Sequence, residues 1–228
     1  MPSAIQIYNH GLSRIGVSDF IGDPAEQSKA GDFYRLWYAT CVEMVLRDFP
    51  WNFASSVAAL ALVDGDPPPG WSYKYAYPLD CHAAHLLSDS CGVRNLAGFA
   101  YAHWDFYGIG QANGLTLARP PVPFQVMSEA ATSTTRRRII VTDLPQAYLF
   151  YTAKVTDPNQ FDPGFCDALS WRIAMEIAAP FLGAPTGPQV ATNAKQQYLA
   201  TLVRAKAQTL NESTEDPRAD SIAIQARA

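Results

Sequence analysis

Four side chains able to ligate a soft or borderline metal fall within one short run, Cys81-His82-x-x-His85-x5-Cys91. Zinc takes Cys thiolates and His nitrogens in a tetrahedral set, so the residue types suit it. The spacing matches no common finger or ribbon pattern, and adjacent Cys and His side chains seldom converge on one ion. The run reads instead as a strand or short helix with Cys81 in the core and both histidines at a surface or interface. Other templates for chemistry fail on context. No G-x-S-x-G elbow, G-x-x-x-x-G-K phosphate loop or H-E-x-x-H helix occurs. Gly108-Ile109-Gly110 lacks the strand, glycine and helix setting that cradles phosphate. Asp64 and Asp66 lie in a Pro-rich stretch that suits a solvated turn rather than paired acid–base work. The expectation is a protein that is not an enzyme, with no catalytic residue, no metal and no cofactor.

Bulk properties narrow the class further. A formal net charge of -4 opposes unspecific binding to nucleic acid, which needs a basic face. Arg136-Arg137-Arg138, the one basic cluster, reads as a solvated or partner-facing loop beside Thr134 and Thr135. Hydrophobic residues make up 48% and charged residues 17%. The charged share lies below the roughly 25% usual for globular chains, so part of the surface should meet another protein. Trp37 and Trp171 fall in helical patterns and read as core or subunit contacts, whereas Trp104 lies in an aromatic run, Tyr101 to Tyr107, that could dock a protein. Cys41, Cys81, Cys91 and Cys166 have no paired spacing and should stay reduced, and neither a signal peptide nor a run of ~20 apolar residues is visible. Assembly in a cytoplasm is the expectation.

The elements that must position these residues are legible from caps and periodicity. Ser3-x-x-Gln6 is a capping box, followed by Ile5, Tyr8, Leu12 and Ile15 at helical spacing up to Gly16. Asp23-Pro24-x-Glu26 reads as the start of a second helix that Pro50 ends. Its apolar arc has two adjoining faces (Phe33, Leu36, Trp37, Cys41, Met44 and Val45; Tyr34, Tyr38, Val42 and Leu46), wider than one partner helix covers. Pro67-Pro68-Pro69 marks a loop, and Tyr73, Tyr75 and Tyr77 alternate as in a half-buried strand. Strands are expected at 124–127, 138–142 and 147–153, the last buried on both faces, while residues 80–118 follow no clear pattern. Asp162-Pro163 caps a helix with an i, i+4 stripe of Phe165, Leu169, Ile173, Ile177 and Phe181. Pro188 opens a last helix with Val190, Ala194, Tyr198, Leu202 and Ala205 inward. The expected fold is α+β. Helices from 1–50 and 155–211 form a bundle, residues 51–154 form an inserted β-rich subdomain, and 212–228 form an extended C-terminal arm.

Four segments in this order resemble the head-to-tail adaptor (tail tubular protein A) family of podovirus-type phages. They are Pro50-Trp51-Asn52-Phe53-Ala54, Tyr77-Pro78-Leu79-Asp80-Cys81, the run from Tyr151 to Phe165, and the helix from Ala168 to Gly183 with the Ala/Lys/Gln-rich helix after it. Trp51, Phe53, Asp80, Asp162 and Pro163 read as anchors of the fold. The resemblance implies a homo-dodecameric ring beneath the portal protein, continuing the DNA ejection channel and presenting a face to the tail nozzle and the tail fibres. DNA would pass without specific binding, and the mature location would be the virion tail. It also implies that the C-terminal arm grips the portal, with Ile222, Ile224 and Arg227 as the candidate contacts. Where that family would carry an aromatic near the end, this chain has the two isoleucines. Two alternatives stand beside this reading: a connector or stopper of a long-tailed phage or gene-transfer agent, and a small zinc-binding protein using Cys81, His82, His85 and Cys91.

Overall fold

The computed structural model describes residues 2–88, 122–130 and 135–211, and all element counts below refer to them. The fold is mixed α+β, with four helices and two three-stranded antiparallel sheets. The segment from Leu96 to Ala118, Cys91 and the arm 212–228 lie outside the described residues.

Helix α1 (Ala4–Arg14) starts at the expected capping box. Ser3 Oγ accepts from the Gln6 amide, and Gln6 Oε1 accepts from the Ser3 amide at 2.8 Å. Its buried face is Ile7, Tyr8, Gly11 and Leu12. Helix α2 (Lys29–Asp48) begins later than Asp23-Pro24 implied, with Ser28 as its cap. The Asp23 carboxylate takes the Ala25 amide, and Glu26 reaches back to the Gly22 amide, so the motif closes a turn of its own. Two contacts tie this turn onto the true helix. Arg35 donates to the carbonyls of Pro24 and Glu26 at 2.9 and 3.0 Å, and Gly31 lets the Glu26 carbonyl approach where any Cβ would lie only 2.3 Å from it. At the other end Phe49 turns extended ahead of Pro50, as the proline ring requires.

Helix α3 (Pro163–Leu182) is the axis of the helical layer. Asp162 caps it through the Gly164 amide at 2.6 Å, with Pro163 at the first position. Phe165, Leu169, Ile173 and Ile177 are all 0% exposed. Helix α4 (Thr186–Asn211) starts two residues before Pro188 and packs along α3, with Ala194, Tyr198, Thr201 and Ala205 buried. Proline is tolerated there because first-turn amides have no intrahelical acceptor. Tyr198 Oη donates to Asp48 at 2.8 Å, tying α4 to the end of α2.

The chain between α2 and α3 leaves and returns through one aromatic cluster. Trp51 is buried, its indole N–H donates to the Val45 carbonyl at 2.9 Å, and its ring meets Phe165 edge-on at 5.2 Å. Phe161 and the half-buried Phe53 join the same group. Between them run two 3-10 turns (Asn52–Ala54 and Pro158–Gln160) and strands β1 (Ser55–Ala59), β2 (Tyr73–Ala76), β3 (Cys81–Ser88), β4 (Phe124–Ala130), β5 (Arg136–Thr142) and β6 (Tyr148–Ala153). They form two sheets, ordered β1-β6-β3 and β2-β5-β4. Tyr75 and Ile140 of one sheet share a core with Leu87, Leu149 and Tyr151 of the other. β6 buries Leu149 through Thr152, hence the unbroken apolar run in its sequence.

The tightest approach between helices is at Gly187, where a Cβ would lie 2.8 Å from Ala179 Cα and 3.0 Å from its carbonyl oxygen. Gly187→Ala should therefore destabilise by about 1–3 kcal/mol, read as a lower urea midpoint at unchanged m-value. A variant as stable as the parent would mean that α4 can lift off α3 there without loss.

Candidate assembly surfaces

Strand β3 carries Cys81, His82 and His85 and sends their side chains to different partners. Cys81 is buried, and burial pushes its thiol above the ordinary value, against the thiolate that zinc requires. His82 Nε2 lies 2.7 Å from the Glu43 carbonyl oxygen, and His85 Nε2 lies 2.7 Å from Thr152 Oγ1. The two rings thus bond in different directions, one to α2 and the other to β6, and among the described residues no three His, Cys, Asp or Glu side chains converge as metal ligands. Cys91 lies outside the described residues, as do Gly108-Ile109-Gly110 and the aromatic run around Trp104. The thiols of Cys41 and Cys166 are pushed up by burial to about 12 and about 11, which keeps both protonated at neutral pH.

Arg136-Arg137-Arg138 is not a loop: β5 begins at Arg136, two residues ahead of the strand expected from residue 138. Arg137 and Arg138 each have a partner that the sequence alone did not signal. Arg137 Nε donates to Glu129 on β4 at 2.6 Å, and the Arg138 guanidinium lies 3.9 Å above the Tyr77 ring. Glu129 also binds Lys74 Nζ at 3.0 Å. Lys74 is only 7% exposed, so the strand Tyr73-Lys74-Tyr75 is buried where alternation placed a solvent-facing lysine. The charge is tolerable because its partner reaches it across β5.

Asp80 shows how a sheet turn is held. Its carboxylate accepts from Tyr151 Oη at 3.0 and 3.1 Å, and its carbonyl accepts from the Lys154 amide at 2.7 Å. Leu79, the residue before it, is fully exposed at the tip. Lys154 in turn pairs with Glu43 of α2, so this turn is fixed to the helical layer. Glu43's carboxyl is held below the usual range, chiefly by the Lys154 hydrogen bond.

Two helix faces are left uncovered. On α2, Leu36 is 61% exposed, beside exposed Ala39 and Thr40 and half-buried Phe33 and Trp37. On α4, Leu199 and Val203 are 51% and 68% exposed one turn apart. A groove of about 680 Å³ lies between the start of α3 and the last turns of α4, lined by Asp162, Asp167, Thr201, Arg204 and Gln208. Its central carboxylate, Asp167, already pairs with Arg14 and accepts from Thr201 Oγ1. No family model and no curated protein matches the chain. Among the described residues, no helix is long and apolar enough to cross a membrane.

The Lys74–Glu129 pair yields a sharp test. Glu129's carboxyl is held below the usual carboxylate range, first by the Lys74 hydrogen bond and then by Arg137, against the opposing effect of burial. A depressed folded-state value means that the stabilisation is complete above the unfolded value of about 4.3 and is lost as pH falls through the folded one. Glu129→Gln should flatten that acid-side loss in urea melts. At neutral pH it should cost about 1–3 kcal/mol, since Lys74 keeps a buried charge with a weaker partner. Equal pH profiles for the two proteins would show that the pair contributes nothing.

Proposed function

We propose that this chain is a structural head-to-tail adaptor of a short-tailed phage, a ring subunit that joins the portal to the tail nozzle and continues the DNA channel. The observation that carries the reading is the division of the chain. Both ends build one helical layer around α3, and the intervening chain is set aside as a two-sheet body fixed at its base. That layer leaves two unlike apolar faces on one subunit, at Leu36 of α2 and at Leu199 and Val203 of α4. A surface that meets a different surface of the next copy makes a heterologous contact, the kind that closes into rings.

The role is passive in this reading. The subunit catalyses nothing, and the ring supplies a rigid passage and a docking platform. A net charge of -4 suits a wall along which DNA slides, because a basic wall would bind phosphates. The sheets, with Leu79 at a clamped turn, face the tail side or the outside, where nozzle and fibres attach. Ile222, Ile224 and Arg227 belong to the portal-gripping arm. The mature location is the virion tail, after assembly in the host cytoplasm.

Mixing the chain with its cognate portal and imaging the product by electron microscopy tests this directly. A ring stacked coaxially on the portal is expected, and deleting residues 212–228 should abolish stacking while leaving the unfolding midpoint unchanged. Stacking that survives the deletion would remove the arm from the proposal. A chain that never engages the portal would remove the proposal itself.

A further inference from the structure

Helices α2 and α4 run in the same direction. Phe33 near the start of α2 meets Phe181 near the end of α3 at 5.3 Å, and Trp51 just past α2 meets Phe165 in the first turn of α3. α2 is therefore antiparallel to α3. α4 is antiparallel to α3 as well, because Gly187 of its first turn packs on Ala179 and Thr201 reaches back to Asp167. Each of these two helices carries an exposed row at i, i+4 spacing: Asp32, Leu36 and Thr40 on α2, and Lys195, Leu199 and Val203 on α4. The rows match position by position, an ionic residue followed one turn later by a leucine. Their charges are opposite, and α4 holds no acidic residue at all.

We infer that the α2 row of one copy packs on the α4 row of a second copy, with the two helices parallel, Leu36 on Leu199 and Asp32 beside Lys195. Charge sets the direction. In the parallel register the carboxylate faces the ammonium and Thr40 faces Val203. In the antiparallel register Lys195 would face Thr40, and Val203 would desolvate the Asp32 carboxylate. Asp32 gives Oδ1 to Arg35, whose guanidinium is drawn toward the carbonyls of Pro24 and Glu26. The Asp32 side chain nevertheless stays 72% exposed, open to a second cation. Ala39, small and exposed beside Leu36, leaves room for the ridge of Leu199 and Val203. The two rows lie on different helices of one subunit, so every copy offers both and the contact repeats from copy to copy. This contact rests on the reading of the chain as a ring subunit and requires nothing of the portal.

Cross-linking of the isolated full-length chain tests it, with the unmodified chain as the control for native thiols. A chain carrying both Asp32→Cys and Lys195→Cys should form, on mild oxidation, a ladder of linked species that continues past the dimer. Thr40→Cys with Lys195→Cys should give no ladder beyond the control. A ladder from that second pair instead of the first would overturn the parallel register. Linking that stops at the dimer would overturn the repeating contact, since a twofold pairing closes on itself. Sedimentation supplies a second readout. Asp32→Lys should weaken self-association about two- to fivefold, Lys195→Asp should do the same, and both reversals in one chain should restore it. Urea midpoints close to the parent's would show that the variants remain folded. A chain that stays monomeric and unlinked at its highest soluble concentration would overturn the inference. Because no portal is present, that failure would leave portal stacking to its own test.

Discussion

The aromatic cluster around Trp51 is the constraint on which the rest of the molecule depends. The chain leaves the helical layer at Trp51 and rejoins it at Phe161, and both residues pack on Phe53 and Phe165. Roughly a hundred residues therefore form one closed excursion whose two ends are clamped within a few ångströms. Closing so long a loop costs only slowly rising entropy, but the cost must be met by contacts at the closure itself. Trp51 meets it with a fully desolvated ring and a satisfied indole N–H. The returning strand then needs only Asp162 and Pro163 to start α3 immediately, with Phe165 of its first turn already inside the cluster.

A single clamp would leave the sheets free to swing, and a second tether prevents this. Lys154, just past β6, pairs with Glu43, and His82 at the start of β3 bonds to the Glu43 carbonyl. Both contacts meet α2 on one residue, the exposed Glu43. Individually such exposed contacts are weak. Their effect here is geometric, because they act together with the cluster to fix an orientation. Within the sandwich, Lys74 and Glu129 do for β2 and β4 what backbone pairing cannot, linking two strands that are not neighbours across β5.

Legibility in the sequence followed the range of the interactions. Caps, helix periodicity and the doubly buried β6 are local signals, and they stood clear in Ser3-x-x-Gln6, Asp162-Pro163 and Tyr148 to Tyr151. Errors arose where a local signal was genuine but its use was tertiary. Asp23-Pro24-x-Glu26 does form a capped turn, yet Arg35 and Gly31 consume it as a lid on the real helix start. The arginine triplet read as a loop because the counterparts of Arg137 and Arg138, Glu129 on β4 and Tyr77 just past β2, are remote in sequence. Lys74 was invisible as a buried residue for the same reason. Gly11 gave no hydrophobic signal at all, although a Cβ there would lie 3.0 Å from Ile173 Cγ2 and its absence lets α1 approach α3. The surplus apolar arc of α2 was legible from its two adjoining faces, whereas the Leu199 and Val203 face of α4 could be named only once burial was known.

Those faces follow from the centrality of α3. A helix with buried residues from Phe165 to Ala178 must be surrounded there, and α1, α2 and α4 each give it one inward stripe. Their outer faces would then ordinarily be charged, as solvent requires. An isolated exposed leucine says little, since folded surfaces are largely apolar by area. Leu36 beside Phe33 and Trp37, and Leu199 with Val203 one turn away, are clusters on helices whose inner faces are already satisfied. Because the two clusters differ in shape and in neighbouring charge, a twofold pairing of one with itself would leave the other exposed. Covering both requires two different complementary surfaces.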